Sequence, residues 1–587
     1  MRGQVGVPKR FYFLNHDNID PMKKLRWPLL IAIIALAAIS ILLISQKPDT
    51  LQPISAPVVQ PAEGGIYSEG LVGSFMRLNP VLDYYNDADR DVDRLIYSSM
   101  LKIDDRGLPQ ANLANSWGIS RDGMIYNFTL NPDALWHDGQ PVTSDDIIFT
   151  INMMSADDSP LPTDIREFWK QIKMVRLDEK TLQFKLPEPF APFLDYLTFG
   201  VLPSHLLGHL TLADMVNDPF NLHPVGSGPY RFDHLITEEG KITGVVLAAF
   251  KDYYSQAAYI DQIAFRYYPD ATSAYAAYKA GEIGGLGNVT TGILPQVLAE
   301  NGLNLYTTRL PTMTLVLLNL DDPQAIFFQD ANIRRALLLG LNRQRMIDSL
   351  KNGQAILANG PIFPGTWAFY DGIEQYPYDP NQSIDLLREA GFTIPAAGGI
   401  VRTSEDGTSL SFELLYPDDS EHAALANAIQ RDWAALGVQT TLAALPYDQL
   451  VSDHLDTRSY QAALIDLNLS RSPDPDPYPF WHQAQILNGQ NYSKWDDRQA
   501  SEYLEQARVS TDMAERTRLY KNFQVRWSQE LPALPLYYPV YTYAVSSDVQ
   551  GVSIGPIFDP SDRFNHATSW YLVTRRTGGE ATASPTP

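Results

Sequence analysis

WHDGQPVTSDDIIFT, residues 136–150, and HPVGSGPYRF, residues 223–232, are the two stretches on which the reading of this chain turns. In the first, Asp138-Gly139 supplies a tight turn. Thr143 stands three residues before Asp146 in a capping-box-like start, and Ile147, Ile148, Ile151 and Met154 follow at helical spacing. In the second, Gly226 and Gly228 offer backbone conformations closed to other residues, Pro229 fixes the exit of the turn, and Tyr230 and Phe232 alternate as a strand. Singly, each is an ordinary turn. The pair in this order, about ninety residues apart, is what informs.

The chain has 587 residues, too many for one core, so two or three domains are expected. A net charge of −23 argues against nucleic acid as a partner, because phosphate backbones demand a basic surface. With no Cys there is no disulfide, no thiolate metal site and no catalytic thiol. Trp27–Ser45 holds nineteen residues without a charge. As a helix it would span roughly 28 Å, close to a hydrocarbon core. Arg2, Lys9, Arg10, Lys23, Lys24 and Arg26 outweigh Asp17 and Asp20, so the positive-inside rule places residues 1–26 in the cytoplasm and the bulk of the chain outside. A cleaved signal peptide is the alternative, but its one cleavage-like triplet, Ala35-Leu36-Ala37, lies in mid-run, and an uncleaved anchor is preferred. Residues 46–63, with Pro48, Pro53, Pro57 and Pro61, are expected to be an extended spacer, and 577–587 a disordered tail. The strongly acidic remainder is read as a solubility device.

Between 379 and 443 strands and helices alternate. Asp379 and Pro380 open a helix carrying Ile384 and Leu387 that Gly391 closes. Leu410, Phe412 and Leu414 alternate as a strand; Leu425, Ile429, Trp433 and Leu436 line a helix ended by Gly437; residues 438–443 form a second strand. Strand, helix and strand in that order imply a parallel α/β sheet, within a lobe over about 313–529.

Many further segments agree with one family. They are LANSW at 113–117, Asp122-Gly123, AGEI at 280–283, Leu318-Asn319-Leu320, the 332–342 helix with Arg334 and Ala336, Tyr378-Asp379-Pro380 running to Gly391, and Arg516, Leu519 and Tyr520 leading to Pro532 and Pro535. With the two opening segments, this ordered set over about 64–572 resembles the family 5 solute-binding proteins of ABC importers, the oligopeptide, dipeptide and nickel binders. The absence of Cys departs from the many relatives tethered by a lipid-modified cysteine. The resemblance implies an α/β, two-lobe periplasmic-binding-protein-like fold of type II, in a three-domain cluster with the transmembrane helix added at the N-terminus. Lobe I would comprise 64–82, 196–312 and 530–572, with an inserted domain at 83–195, and lobe II 313–529. Crossings within 305–320 and 527–538 suit hinge closure over a ligand.

The same resemblance implies the site. Glu69, Gly70 and Leu71 would lie alongside a peptide backbone. Asn468, Ser470, Arg471 and Ser472 would face them, with Thr312 and Met313 at one crossing, Tyr537 and Tyr538 near the other, and Phe199 as a further candidate. Of the two tyrosines, one is expected in the core, since LPLYYPVYTYA also reads as a core strand. Peptide binders of the family place an acid just before the loop that here reads PDPDPYP, residues 473–479, to hold the peptide's free amino group. Laid on that loop without gaps, this chain has Arg471 at the acidic position. Arg471 would hold a carboxylate or phosphate with its forked donors, or else be an exposed loop arginine. Asp474 substitutes if the loop is shifted.

No catalytic or metal-ligating residue and no cofactor is expected. Asp138 serves a turn and Asp145 and Asp146 a helix start, so with His137 they make a poor metal site, and no H-E-x-x-H occurs. Gly226-Ser227-Gly228 lacks the strand-to-helix setting of a nucleophile elbow. Asp474 and Asp476 lack the Gly and Glu of a calcium loop. No phosphate loop is present, so the ATPase of an importer must be another chain. The expected protein is thus a monomeric, membrane-anchored extracytoplasmic receptor passing peptides or similar solutes to ABC permease subunits. The alternatives are a surface hydrolase using paired carboxylates and a ligand-sensing component of a signalling system.

Overall fold

In the computed structural model, which describes residues 26–45, 58–396, 398–470 and 472–577, the strand Ala533–Ser546 serves two hydrophobic cores at once. Fourteen residues long, it lies inside a twelve-stranded sheet. Its first part pairs antiparallel with Thr312–Leu318, setting Ala533 opposite Leu317. Its second part pairs antiparallel with Leu303–Arg309, setting Val540 opposite Arg309. Residues 533–538 pack into a core built from 313–538, while Tyr541, Tyr543 and Val545 belong to a core that reaches from Tyr67 to Trp570. The main chain therefore passes between the two cores at Pro539 and, on the neighbouring strand, at Leu310-Pro311. Both passages carry a proline, which lacks an N–H and so weakens the ladder there.

Around the first core the expected strand, helix and strand appear. Ser411–Pro417 and Gln439–Leu445 are parallel, and helix Ser420–Leu436 runs between them. Asp419 caps that helix by accepting the backbone N–H groups of Glu421 and His422, both at 2.9 Å. Leu425, Ile429, Trp433 and Leu436 form its buried stripe, and Gly437 ends it at φ 84°, a left-handed position that favours glycine. The parallel arrangement continues into Ala462–Asn468, which pairs parallel with Ser411–Pro417, and ends there. Thr312–Leu318 is antiparallel to both Ala462–Asn468 and Ala533–Ser546, because the shared strand enters from the other core and fixes their direction.

Around the second core, Ile66–Val72 lies between Gln262–Tyr268 and Gly285–Leu286, parallel to both. The region expected as an inserted domain contributes a four-stranded antiparallel sheet formed by Ala114–Ile119, Ile125–Leu130, Thr181–Lys185 and Lys173–Arg176. Its Tyr126, Phe128, Trp136 and Phe184 pack in the same core as Tyr67 and Trp570. The two opening motifs meet here. The imidazole Nδ1 of His137 accepts the Gly226 N–H, and Nε2 stands 3.1 Å from the Gly228 carbonyl. Burial pushes His137 down to about 4, so the ring is neutral at pH 7 and serves as one acceptor and one donor. The glycines are needed for close approach, not for a positive φ as the sequence suggested. A Cβ on Gly226 would lie 2.0 Å from the Ile96 carbonyl, and one on Gly228 2.3 Å from that of Leu95. The Gly228 N–H donates to Ile96 O at 2.7 Å, so the loop satisfies the open end of helix Asp87–Ile96.

A buried ionic cluster ties the C-terminal segment to this core. The Arg563 guanidinium is fully enclosed, 2.7 Å from Glu69 Oε1 and 2.6 Å from Asp91 Oδ1. Tyr67 and Tyr543 donate their hydroxyls to Glu69 Oε2 at 2.8 and 2.6 Å.

Helix Arg26–Ser45 is a unit separate from the body at 61–574. The anchor expected at 27–45 falls on it. Among the described residues no helix is long and apolar enough to cross a membrane, so the anchor is not part of what the structure shows. Two boundaries are corrected. Val58–Ala62, within the expected spacer, is a strand, and the expected tail gives its first residue to the strand Val573–Thr577, because the two segments pair as a sheet of their own. The expectations for 1–25, 46–57 and 578–587 lie outside the described residues.

Replacing Arg563 with Leu would leave Glu69 and Asp91 buried without their cation. The Arg563→Leu variant should lose on the order of 3–5 kcal/mol, measured as a fall in the urea midpoint with an unchanged m-value. An unshifted midpoint would show that the cluster does not hold the C-terminal segment.

Candidate ligand cavity

A cavity of about 520 Å³ opens between side chains of the two cores. One wall comes from helix Asp87–Ile96 and its flanks (Asp83, Arg90, Asp93, Arg94, Tyr97), with Trp169, Phe190, Asp195, Tyr196 and Phe199 from the region after it. The other comes from Phe363, Thr366 and the segment 467–481, and Phe558 to Asp562 close one side. Local sequence explains the helical wall. Asn86 caps the helix, and Arg90, Asp93, Arg94 and Tyr97 recur at spacings of three and four, which sets them on one face. The GSGP loop fixes the far end of the same helix.

Most cavity charges are paired. Asp474 meets Arg516 Nη2 at 2.7 Å, and Asp476 meets Arg508 Nε at 2.7 Å. The Arg508 guanidinium lies over Tyr478 at 4.0 Å and Phe190 at 5.2 Å, so it contacts both walls. Arg90 reaches Asp559 at 2.9 Å, and Arg94 pairs with Asp562. Asp195 and Asp474 face each other from opposite walls. Burial and then the Asp474 charge hold the Asp195 carboxyl well above its ordinary range; burial also raises Asp474, against the lowering charge of Arg516.

Of the residues expected in the site, Phe199, Asn468, Ser470, Ser472 and Asp474 line this cavity. Arg471 lies outside the described residues. Thr312 sits opposite Asn468 in the sheet without reaching the cavity wall, and Met313 beside it is buried. Tyr537 and Tyr538 are both core residues, since the shared strand is covered on both faces; Tyr538 donates to the Gly360 carbonyl and Tyr537 stacks under Lys351. The Glu69 carboxylate is used up by Arg563, Tyr67 and Tyr543, and Leu71 is in the core. Gly70 pairs with Arg266 on one side and Leu286 on the other, which leaves no ladder position there for an added strand. The sequence reading missed Asp93, Asp195, Tyr196 and Arg508. A signal existed for Asp93 in the acidic stripe of DADRDVDRLI, but nothing local indicates which face of that helix meets a cavity.

The chain belongs to the bacterial extracellular solute-binding proteins of family 5, whose family profile matches residues 109–488. It is 25% identical over 525 residues to the oligopeptide-binding protein AppA of Bacillus subtilis, covering 88% of this chain and 93% of that one. It is likewise 25% identical over 468 residues to the dipeptide-binding protein of Escherichia coli, covering 76% and 84%. Among solved structures, NikZ of Campylobacter jejuni in complex with Ni(L-His) superimposes with a TM-score of 0.65 at 25% identity, over 86% of this chain and 99% of that one. Proteins of this family bind solutes and are not enzymes. The histidine and serine considered above have structural duties in keeping with this: His137 holds the GSG loop, and Ser227 is buried beneath it.

The Asp195 carboxyl makes stability depend on pH. Its folded pKa is raised, so the folded state holds that proton more tightly than the unfolded chain does. Its contribution is complete below the ordinary value of 3.8 and is lost as pH rises through the folded value. Asp195→Asn should therefore be more stable than the parent near neutrality, the margin closing toward about pH 4 in urea midpoints taken across pH. A margin constant with pH would contradict this.

Proposed function

We propose that this protein captures a peptide or similar small organic solute outside the cell and passes it, unaltered, to the permease subunits of an ABC importer whose ATPases are separate chains. The observation that carries the reading is the placement of the cavity between two cores joined by sheet strands at 310–311 and 539. Few backbone positions need to move for the walls to part and close, as hinge closure requires. Asp474, Asp476, Asp559 and Asp562 are each paired with an arginine, which argues against a free carboxylate pair working as acid and base. Both the oligopeptide- and dipeptide-binding relatives favour peptide as the first class of cargo. Within this reading the lobes run over 64–82, 196–312 and 530–572, and over 313–529. Phe199, Asn468, Ser470, Ser472 and Asp474 contact ligand, with Arg471 beside them.

The purified protein, heated with a library of short peptides and small solutes, should gain thermal stability with rising concentration of its ligand, because binding to the folded state alone shifts unfolding. Mass spectrometry should recover that ligand intact. Recovery of cleaved ligand would replace the receptor with a hydrolase.

The anchor belongs to this proposal too. Nineteen uncharged residues at 27–45, preceded by a basic segment, support retention in the membrane. The mature chain should stay in the membrane fraction and keep residues before Trp27; an N-terminus near residues 38–46 would establish processing instead.

A further inference from the structure

Asp93 differs from the other carboxylates of the cavity. It is 3% exposed, it lines the cavity, and neither of its oxygens has a hydrogen-bond partner among the described residues. The Asn79 backbone N–H stands near it but outside hydrogen-bond geometry. Its neighbours along the helix give it no cation, since Arg90 is turned to Asp559 and Asp87 and Arg94 to Asp562. Burial, followed by the charges of Asp83 and Asp89, pushes its pKa well up. A buried carboxylate is retained at low cost only when a positive group or several donors meet it, and among the described residues only the Arg90 charge and the Asn79 N–H, neither of them paired with it, act in that direction.

The cavity lining is acidic. Its described lining holds eight aspartates and three arginines, with no lysine or histidine, and each of the three arginines already faces a lining aspartate. The indole Nε1 of Trp169, on the same wall, is also buried without an acceptor. Tyr97, Trp169, Tyr196 and Phe199 bring aromatic rings to the lining, and ring faces attract cations.

We propose that Asp93 anchors a subsite for an organic cation, an ammonium or guanidinium group carried by the solute, such as the amino terminus or a basic side chain of a short peptide. The proposal rests on the solute-binding reading of the cavity and specifies its cargo. The cation sits against the Asp93 carboxylate, and a carbonyl of the same solute accepts from Trp169 Nε1. Burial makes ionisation of Asp93 unfavourable in the empty fold, a cost that Asn does not carry, so Asp93→Asn should fold at least as stably as the parent.

The test is calorimetric titration of the parent and of Asp93→Asn with five probes. They are trialanine amide, charged only at its amino terminus; its N-acetylated form, uncharged; N-acetyl-trilysine amide, charged only on side chains; triglutamate; and spermidine, a cation that is not a peptide. The parent should bind at least one of the three cationic probes about tenfold or more tighter than the uncharged peptide and triglutamate. Asp93→Asn should weaken that probe by about thirtyfold or more while leaving the uncharged peptide unchanged. Preference for trialanine amide would locate the cation at the amino terminus, and preference for N-acetyl-trilysine amide on a side chain. Binding of spermidine but of no peptide would keep the subsite and remove peptides as cargo. Equal binding of charged and uncharged peptides, or an affinity unmoved in Asp93→Asn, would overturn the subsite and leave the receptor reading standing. Failure of all three cations to bind would overturn the subsite as well. Equal binding of charged and uncharged peptides by the parent overturns the subsite whether or not the variant folds.

Discussion

Ala533–Ser546 is the constraint on which the rest of the molecule depends. A strand whose two ends pack in different cores ties those cores together, because its hydrogen-bonded ladder with Thr312–Leu318 and Leu303–Arg309 resists separation while the prolines at 311 and 539 remove donors at the passage. It explains why strands on the first core run antiparallel where a parallel sheet was expected. It also explains why Tyr537 and Tyr538, which alternate in sequence, are both buried. The cavity is the space left between the two cores, with the Arg508 guanidinium touching both walls.

Charge is distributed by the same logic of enclosure. Away from the cavity, buried ions are matched. Arg563 satisfies Glu69 and Asp91. Toward the cavity the matching becomes incomplete, first at Asp195, which faces Asp474, and then at Asp93, which pairs with no cation among the described residues. Such deficits are costly in a finished core, and they persist where an external partner can complete them. The acidic composition of the chain as a whole does not reveal this, because a solvated surface aspartate and a cavity aspartate count equally in a net charge.

The two opening motifs turned out to be support for the site. WHDG holds the GSGP loop through the neutral imidazole of His137, that loop seats on the last carbonyls of helix Asp87–Ile96, and the helix presents Asp93 to the cavity. They were legible in sequence because each needs particular residues at fixed short spacing: a ring with one donor and one acceptor, and glycines where a Cβ would strike a carbonyl. The site residues share no such local demand. Phe199, Asn468, Ser470, Ser472 and Asp474 were reached through family resemblance, while Asp93, Asp195 and Arg508 were not reached, since their roles are defined by side chains far away in the chain.

What the sequence determined by itself is what short-range physics decides. That includes the capped helices at 144, 380 and 420, the parallel pair 411–417 and 439–445, the absence of any thiol chemistry, and an ordered set of motifs sufficient for family membership. Only the tertiary structure decided which edges of strand 66–72 were already paired, which carboxylates met an arginine, and which one was left facing open space. Those outcomes depend on contacts between residues as much as 494 positions apart, as between Glu69 and Arg563, and no local pattern records a partner at that distance.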